Sequence, residues 1–98
     1  MKNESDLNNA IYKIAKYFAN KKPEDIDFAD ADRYEYELFS ILQVWNETFP
    51  NKSFAVNFPN VDKLWKTLGS WNYEDAWSRE KCERIIELAK AIQKTIAN

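Results

Sequence analysis

Residues that break regular structure are scarce in this chain, and their scarcity constrains the fold more than any other feature of the sequence. Only one glycine, Gly69, and three prolines occur in 98 residues. Turn-dense all-β folds and linker-rich chains need many more of both residue types. We therefore expect long regular segments joined by short connections, within a single helical domain that covers residues 1–98.

Apolar residues recur every three or four positions along three long segments, which is the spacing of one face of an α-helix. The first predicted helix covers residues 6–21. The second covers about residues 30–49, with Asp27 or Asp30 as its N-cap and Pro50 as its stop. The apolar faces of the three helices are Leu7, Ile11, Ile14 and Phe18, then Tyr34, Leu38, Ile41, Leu42, Trp45 and Phe49, then Cys82, Ile85, Ala89, Ile92 and Ile96.

The remaining segments are shorter. Residues 53–58 alternate apolar with small or polar residues, and with no second strand to pair with they favour an extended loop whose apolar side chains cover the core. A short helix follows, capped by Asn60 and ended by Gly69 in a left-handed conformation. The last helix begins near Asn72, or later at Ser78. The predicted fold is an all-α, small single-domain bundle of three long helices plus one short helix.

Missing residue types exclude several kinds of chemistry. The chain has no histidine, so it cannot form a Ser-His-Asp or Cys-His triad. Cys82 is the single cysteine, which excludes an internal disulfide and a Cys/His zinc site. One glycine cannot form a glycine-rich phosphate loop. We therefore expect a binding protein rather than an enzyme, with no catalytic residues, no metal and no cofactor.

The compartment is predicted from the same composition. No apolar run approaches the roughly 20 residues of a membrane span, and residues 1–6 do not resemble a signal peptide. A single cysteine suits a reducing environment. We expect a cytoplasmic protein that has no membrane partner.

Acidic residues are concentrated around the start of the second predicted helix. Seven carboxylates lie between Glu24 and Glu37, against one basic residue, Arg33. One interpretation is helix-dipole chemistry, since carboxylates stabilise a helix N-terminus. The other is a negative patch that docks on a basic surface of another macromolecule. A calcium loop would need a glycine for its sharp turn, and this segment has none.

Aromatic residues are more numerous than a domain of this size requires, with four Trp, five Tyr and six Phe. Many of them fill the predicted core. Tyr36 and Phe39, however, project roughly opposite the apolar stripe of the second helix, and Trp71 and Trp77 lie in or after the last connection. Each pair belongs either to the core or to an exposed interface.

These observations favour a small acidic helical protein that acts by binding a protein partner with a basic surface. Such a protein would be of the inhibitor, immunity-protein, antitoxin or phage anti-defence type. The alternative is a structural or regulatory subunit that self-associates through its last helix or its exposed aromatics, so monomer and homodimer both remain open. Nucleic acid is not expected as a partner, since the formal net charge is −2 and no sustained basic stripe occurs. The predicted partner-binding residues are Asp27, Asp30, Asp32, Glu35, Tyr36, Phe39, Trp71 and Trp77.

Overall fold

Helices account for all the regular structure in the described part of the chain. The computed structural model describes residues 4–69 and 78–96. The helices are α1 (Glu4–Ala19), α2 (Phe28–Thr48), α3 (Phe54–Asn57), α4 (Pro59–Leu68) and α5 (Arg79–Ile96), with a 3₁₀ turn at Pro23–Asp25. The all-α prediction is therefore confirmed: α1, α2 and α5 are the three long helices and α4 is the short one.

The ends of the long helices follow local capping chemistry. The Asp27 side chain accepts a hydrogen bond from the Ala29 backbone N–H at 2.7 Å, which makes Asp27 the N-cap of α2. The Ser78 hydroxyl oxygen accepts from the Lys81 backbone N–H at 3.2 Å, so the later of the two starts considered for α5 is the observed one. The predicted bounds of α1 and α2 each lie within two residues of the observed ones.

The four longer helices form a ring. Helix α5 packs against both α1 and α4, and α2 contacts the same two helices from the other side, so the order around the ring is α1, α5, α4, α2. Each helix turns its apolar face into the ring, where burial of these side chains stabilises the fold. The largest side chains buried there are Trp45, Phe18, Leu7, Ile11, Leu38, Leu64, Leu68, Ile85 and Ile92.

The segment after α2 differs from the prediction. Residues 54–57 form one helical turn instead of an extended loop, and the Ser53 side chain caps it by accepting from the Val56 N–H at 3.3 Å. A helical turn places residues four apart on the same side. Phe54 and Phe58 therefore pack against the core, whereas Val56 is 78% exposed. The expectation that Val56 covers the core is wrong.

Aromatic packing around Trp45 anchors this connection. Trp45 is only 1% exposed, and its ring centroid lies 4.5 Å from that of Phe49 and 5.1 Å from that of Phe58. Its indole N–H donates to the Lys52 carbonyl oxygen at 3.0 Å. One side chain of α2 thus fixes the path of the chain between α2 and α4.

Both ends of α4 also differ from expectation. Its N-cap is Phe58 and its first residue is Pro59, whose fixed φ angle suits a first helical position, so Asn60 lies inside the helix. At the other end, Gly69 has φ −93° rather than a positive value. The predicted left-handed conformation is therefore wrong, and the reason for a glycine here is not its backbone conformation.

Candidate functional site

An aromatic stripe lies on the outer face of α2. Phe28, Tyr36 and Phe39 are 41%, 64% and 38% exposed, and Asp32 lies among them. The spacings of four, four and three residues place all four side chains on one side of the helix. Leu38 and Trp45, in contrast, are buried on the inner face. We call Phe28, Asp32, Tyr36 and Phe39 the α2 stripe.

One end of the stripe is attached to α4. The Phe39 ring stacks on the Trp65 ring, with centroids 6.0 Å apart and an angle of 16° between the ring planes. The Trp65 indole N–H donates to Oε2 of Glu35 at 2.9 Å. Glu35 is half-buried. Through this hydrogen bond its carboxylate joins α2 to α4, and it also contributes negative charge.

A second carboxylate joins α2 to α1. The Tyr17 hydroxyl donates a short hydrogen bond to Oδ2 of Asp30, and the Tyr17 ring packs against the Tyr34 ring at 4.7 Å. The hydrogen bond to the Asp30 carboxylate, followed by burial, raises the pKa of Tyr17 to about 12. The Arg33 guanidinium donates to the Tyr34 hydroxyl at 2.7 Å, and this hydrogen bond raises the pKa of Arg33.

The structure therefore divides the predicted acidic residues into two groups. Asp27, Asp30 and Glu35 each accept a hydrogen bond from within the chain, so part of the acidic segment stabilises helix ends and helix contacts. Asp32 accepts none from the residues that the structure describes. Within the predicted set, Asp32 and the two aromatics Tyr36 and Phe39 come together on the α2 stripe.

Sequence reasoning missed other residues beside this surface. Phe28 belongs to the α2 stripe, and extending the spacing of Tyr36 and Phe39 backwards along the helix would have found it. Trp65, on α4, is only half-buried and contacts Glu35 across 30 residues of sequence. No local pattern indicates such a contact.

Two grooves flank α2. The larger, with a volume of 450 Å³, lies between α1 and α2 and is lined by Ala10, Lys13, Ile14, Tyr34, Glu37, Ser40 and Ile41. The other, with a volume of 300 Å³, lies between α2 and the end of α4 and is lined by Glu35, Trp65, Lys66 and Gly69. The α2 stripe lies between two depressions into which a partner could insert side chains.

Trp71 and Trp77, the remaining predicted binding residues, lie outside the described residues. Within the described ranges, no three His, Cys, Asp or Glu side chains converge in a way that could hold a metal ion. None of the helices described is both long enough and apolar enough to cross a bilayer.

Comparison with known proteins adds no relative from which a function could be carried over. No protein-family model matches the sequence, and no curated protein and no solved structure gives a match.

Proposed function

We propose that this chain is a cytoplasmic binding protein that docks the α2 stripe on a basic surface of a protein partner. By this proposal it acts as an inhibitor, immunity protein or antitoxin, or as a phage protein directed against a host defence. It works by occupying its partner and performs no chemistry of its own.

The α2 stripe is the observation that carries this proposal. Three aromatic side chains are exposed along one helix face, where burial in the chain's own core would have stabilised the fold. Tryptophan, tyrosine and arginine are the residues that most often contribute strongly to binding when a partner covers them, and Tyr36 is the most exposed aromatic of the stripe. A stripe of this kind is typical of an interface rather than of an ordinary solvated helix.

The charge around the stripe defines the kind of partner. Asp32 lies within it and Glu37 is exposed beside it, and the single basic residue of this segment, Arg33, is engaged with Tyr34. The net negative field attracts basic surfaces and accelerates their association. Because exposed charges are screened by salt, we expect the affinity to fall as ionic strength rises.

The test is affinity capture from host lysate followed by measurement of Kd with the purified captured protein. The test variant combines Tyr36→Ala with Asp32→Lys, since Asp30 and Glu35 hold hydrogen bonds within the fold. We expect at least about a tenfold loss of affinity, equal to about 1.4 kcal/mol. The matched control, Val56→Ala with Glu87→Lys, truncates an exposed apolar residue on α3 and reverses an exposed acid on α5.

Equal affinity of the test and control variants would refute the α2 stripe as the docking surface. Circular dichroism of both variants verifies that neither has lost helix content. A captured protein with an acidic binding surface would contradict the charge argument even if the stripe were involved.

Self-association through the same stripe is the second candidate. The apolar face of α5 is buried in the core of its own chain, at Cys82, Ile85, Ala89 and Ile92, which leaves the exposed aromatics of α2 as the surface for a second copy. Light scattering across a range of concentrations distinguishes the two. A stable dimer that Tyr36→Ala with Phe39→Ala converts to a monomer would favour this candidate over a different partner.

A further inference from the structure

The groove between α2 and the end of α4 has a defined chemical character. It is lined by Glu35, Trp65, Lys66 and Gly69, next to the Phe39 end of the α2 stripe. A Cβ atom at Gly69 would lie 3.4 Å from Cγ of Glu35. Because glycine has no side chain, the space next to the Glu35 carboxylate is unfilled, although a Cβ atom would fit there at ordinary contact distance.

Among the described residues, the Glu35 carboxylate forms no ion pair. Its Oε2 accepts from the Trp65 indole N–H, which fixes the orientation of the carboxylate. In the described parts of the chain, no lysine or arginine nitrogen lies within 4.0 Å of this group. A half-buried carboxylate with a fixed orientation and no ion pair can bind a cationic donor through a charge-assisted hydrogen bond.

The end of α4 adds to the negative field. Helix α4 ends at Leu68, immediately before Gly69, and the carbonyl groups of a last helical turn carry a partial negative charge. Trp65 lies in that turn and lines the groove, and the face of its ring that is not stacked on Phe39 can attract a cation. Carboxylate, helix terminus and indole therefore all favour positive charge in the same groove.

Lys66 also lines the groove, and its charge is already engaged. Its Nζ lies 3.1 Å from Oδ2 of Asp62, one turn earlier on α4. The formal charges of Asp62 and Lys66 sum to zero, so Glu35 gives this part of the surface a net formal charge of about −1.

We propose that this groove binds the guanidinium group of an arginine side chain presented by the basic partner. The inference rests on the proposed function and names the residue type that the partner inserts. Arginine fits better than lysine because its planar group stacks on an indole and can give two parallel hydrogen bonds to one carboxylate. Lysine offers a compact ammonium without either feature.

The experiment uses the full chain and a small probe, so it needs no partner. Nα-acetyl-arginine methylamide is titrated to about 100 mM at constant ionic strength while the indole N–H signals are followed by ¹⁵N NMR. A Trp65→Phe variant identifies the Trp65 signal among those of the four tryptophans. The neutral citrulline analogue and the lysine analogue are titrated in the same way.

We expect a saturable shift of the Trp65 indole signal with the arginine probe, a smaller one with the lysine probe and none with the citrulline probe. Glu35→Gln keeps an acceptor for the Trp65 N–H and removes the charge, and should weaken binding about tenfold or more. Glu47→Gln, the same change at an exposed position on the same helix but away from the stripe and the groove, should leave binding unchanged.

Absence of a saturable shift in the wild-type chain would overturn the inference, as would equal binding of the arginine and citrulline probes. Unchanged binding in Glu35→Gln would also overturn it. These results are independent of the capture experiment. A partner lost on mutation of Tyr36 and Asp32, together with no arginine binding, would leave the proposed function standing and remove only the arginine groove.

Discussion

The hydrogen bond between Tyr17 and Asp30 links α1 to α2, and Tyr17→Phe tests how much it contributes. The substitution removes only the hydroxyl, so the ring can keep its contacts with Phe18 and Tyr34 at 5.1 and 4.7 Å. What is lost is an O–H donor to a carboxylate at a half-buried contact between two helices. The Asp30 carboxylate then has to be solvated by water instead.

A hydrogen bond to a charged group contributes about 1.5–3 kcal/mol to stability, and partial exposure places this one toward the lower end. We expect Tyr17→Phe to lower the free energy of unfolding by about 1.5 kcal/mol at pH 7. For a domain of this size, that corresponds to a decrease in Tm of roughly 6–12 °C. Asp30→Asn keeps an acceptor but loses its charge, so its effect should be smaller.

The pKa of Tyr17 gives the effect a defined pH dependence. Because the pKa rises from 10.0 to about 12 on folding, the native state holds the phenol proton more tightly than the unfolded chain does. The stabilisation is therefore complete below pH 10 and is lost as the pH rises toward 12. The difference in stability between wild type and Tyr17→Phe should shrink over the same range.

Urea unfolding followed by circular dichroism, between pH 7 and the highest pH at which the fold persists, measures both effects. Tyr12→Phe on the same helix is the matched control, since Tyr12 has no hydrogen-bond partner among the described residues, and it should change stability by less than about 0.5 kcal/mol. Equal stability of the Tyr17 and Tyr12 variants at pH 7 would refute the reasoning. So would a difference that grows with pH.

Three further substitutions test the fold by the same urea assay. Asp27→Ala should cost about 1 kcal/mol, and Asp27→Asn much less, because asparagine still accepts from the Ala29 N–H; equal losses would contradict the cap. Trp45→Phe should cost about 1–3 kcal/mol, since it leaves the Lys52 carbonyl without its indole donor, and no change would show that water replaces it. Ile85→Ala, at a fully buried position of α5, should cost about 2–5 kcal/mol; a loss below 1 kcal/mol would contradict its place in the core.

The helices could be predicted from the sequence because their information is local. Leu38, Ile41 and Trp45 are all buried at the positions that the helical spacing indicates. The Asp27 cap and the Ser78 start depend on side chains within three residues of the helix end, so their chemistry is visible in the sequence.

Short segments were harder for a physical reason. In residues 53–58 the alternation of apolar with small or polar residues predicts an extended segment, a strand or a loop, but over six residues this pattern is weak and the Ser53 cap favours one turn of helix. At Gly69 the rule for helix ends predicts a left-handed residue, whereas the observed φ angle is −93°.

The candidate site was predictable only in part. Because Tyr36 and Phe39 lie opposite the apolar stripe of the second helix, the sequence allowed two alternatives for them, burial in the core or exposure at an interface. The structure shows both side chains exposed. The roles of Asp30 and Glu35 depend on Tyr17 and Trp65, which are 13 and 30 residues away in sequence. A carboxylate that holds two helices together and a carboxylate that faces solvent look the same until the helices are placed.

The ring order has a consequence for how the chain reaches its fold. Helix α1 makes its most extensive contacts with α5, the last helix along the sequence, and α4 also relies on α5. Closure of the ring therefore brings together segments about 80 residues apart. The entropy lost on closing such a long loop opposes these contacts until side-chain packing contributes a favourable free energy. During synthesis on a ribosome, α1 and α4 can pack only against α2 until α5 has left the exit tunnel, so part of their apolar faces stays uncovered until then.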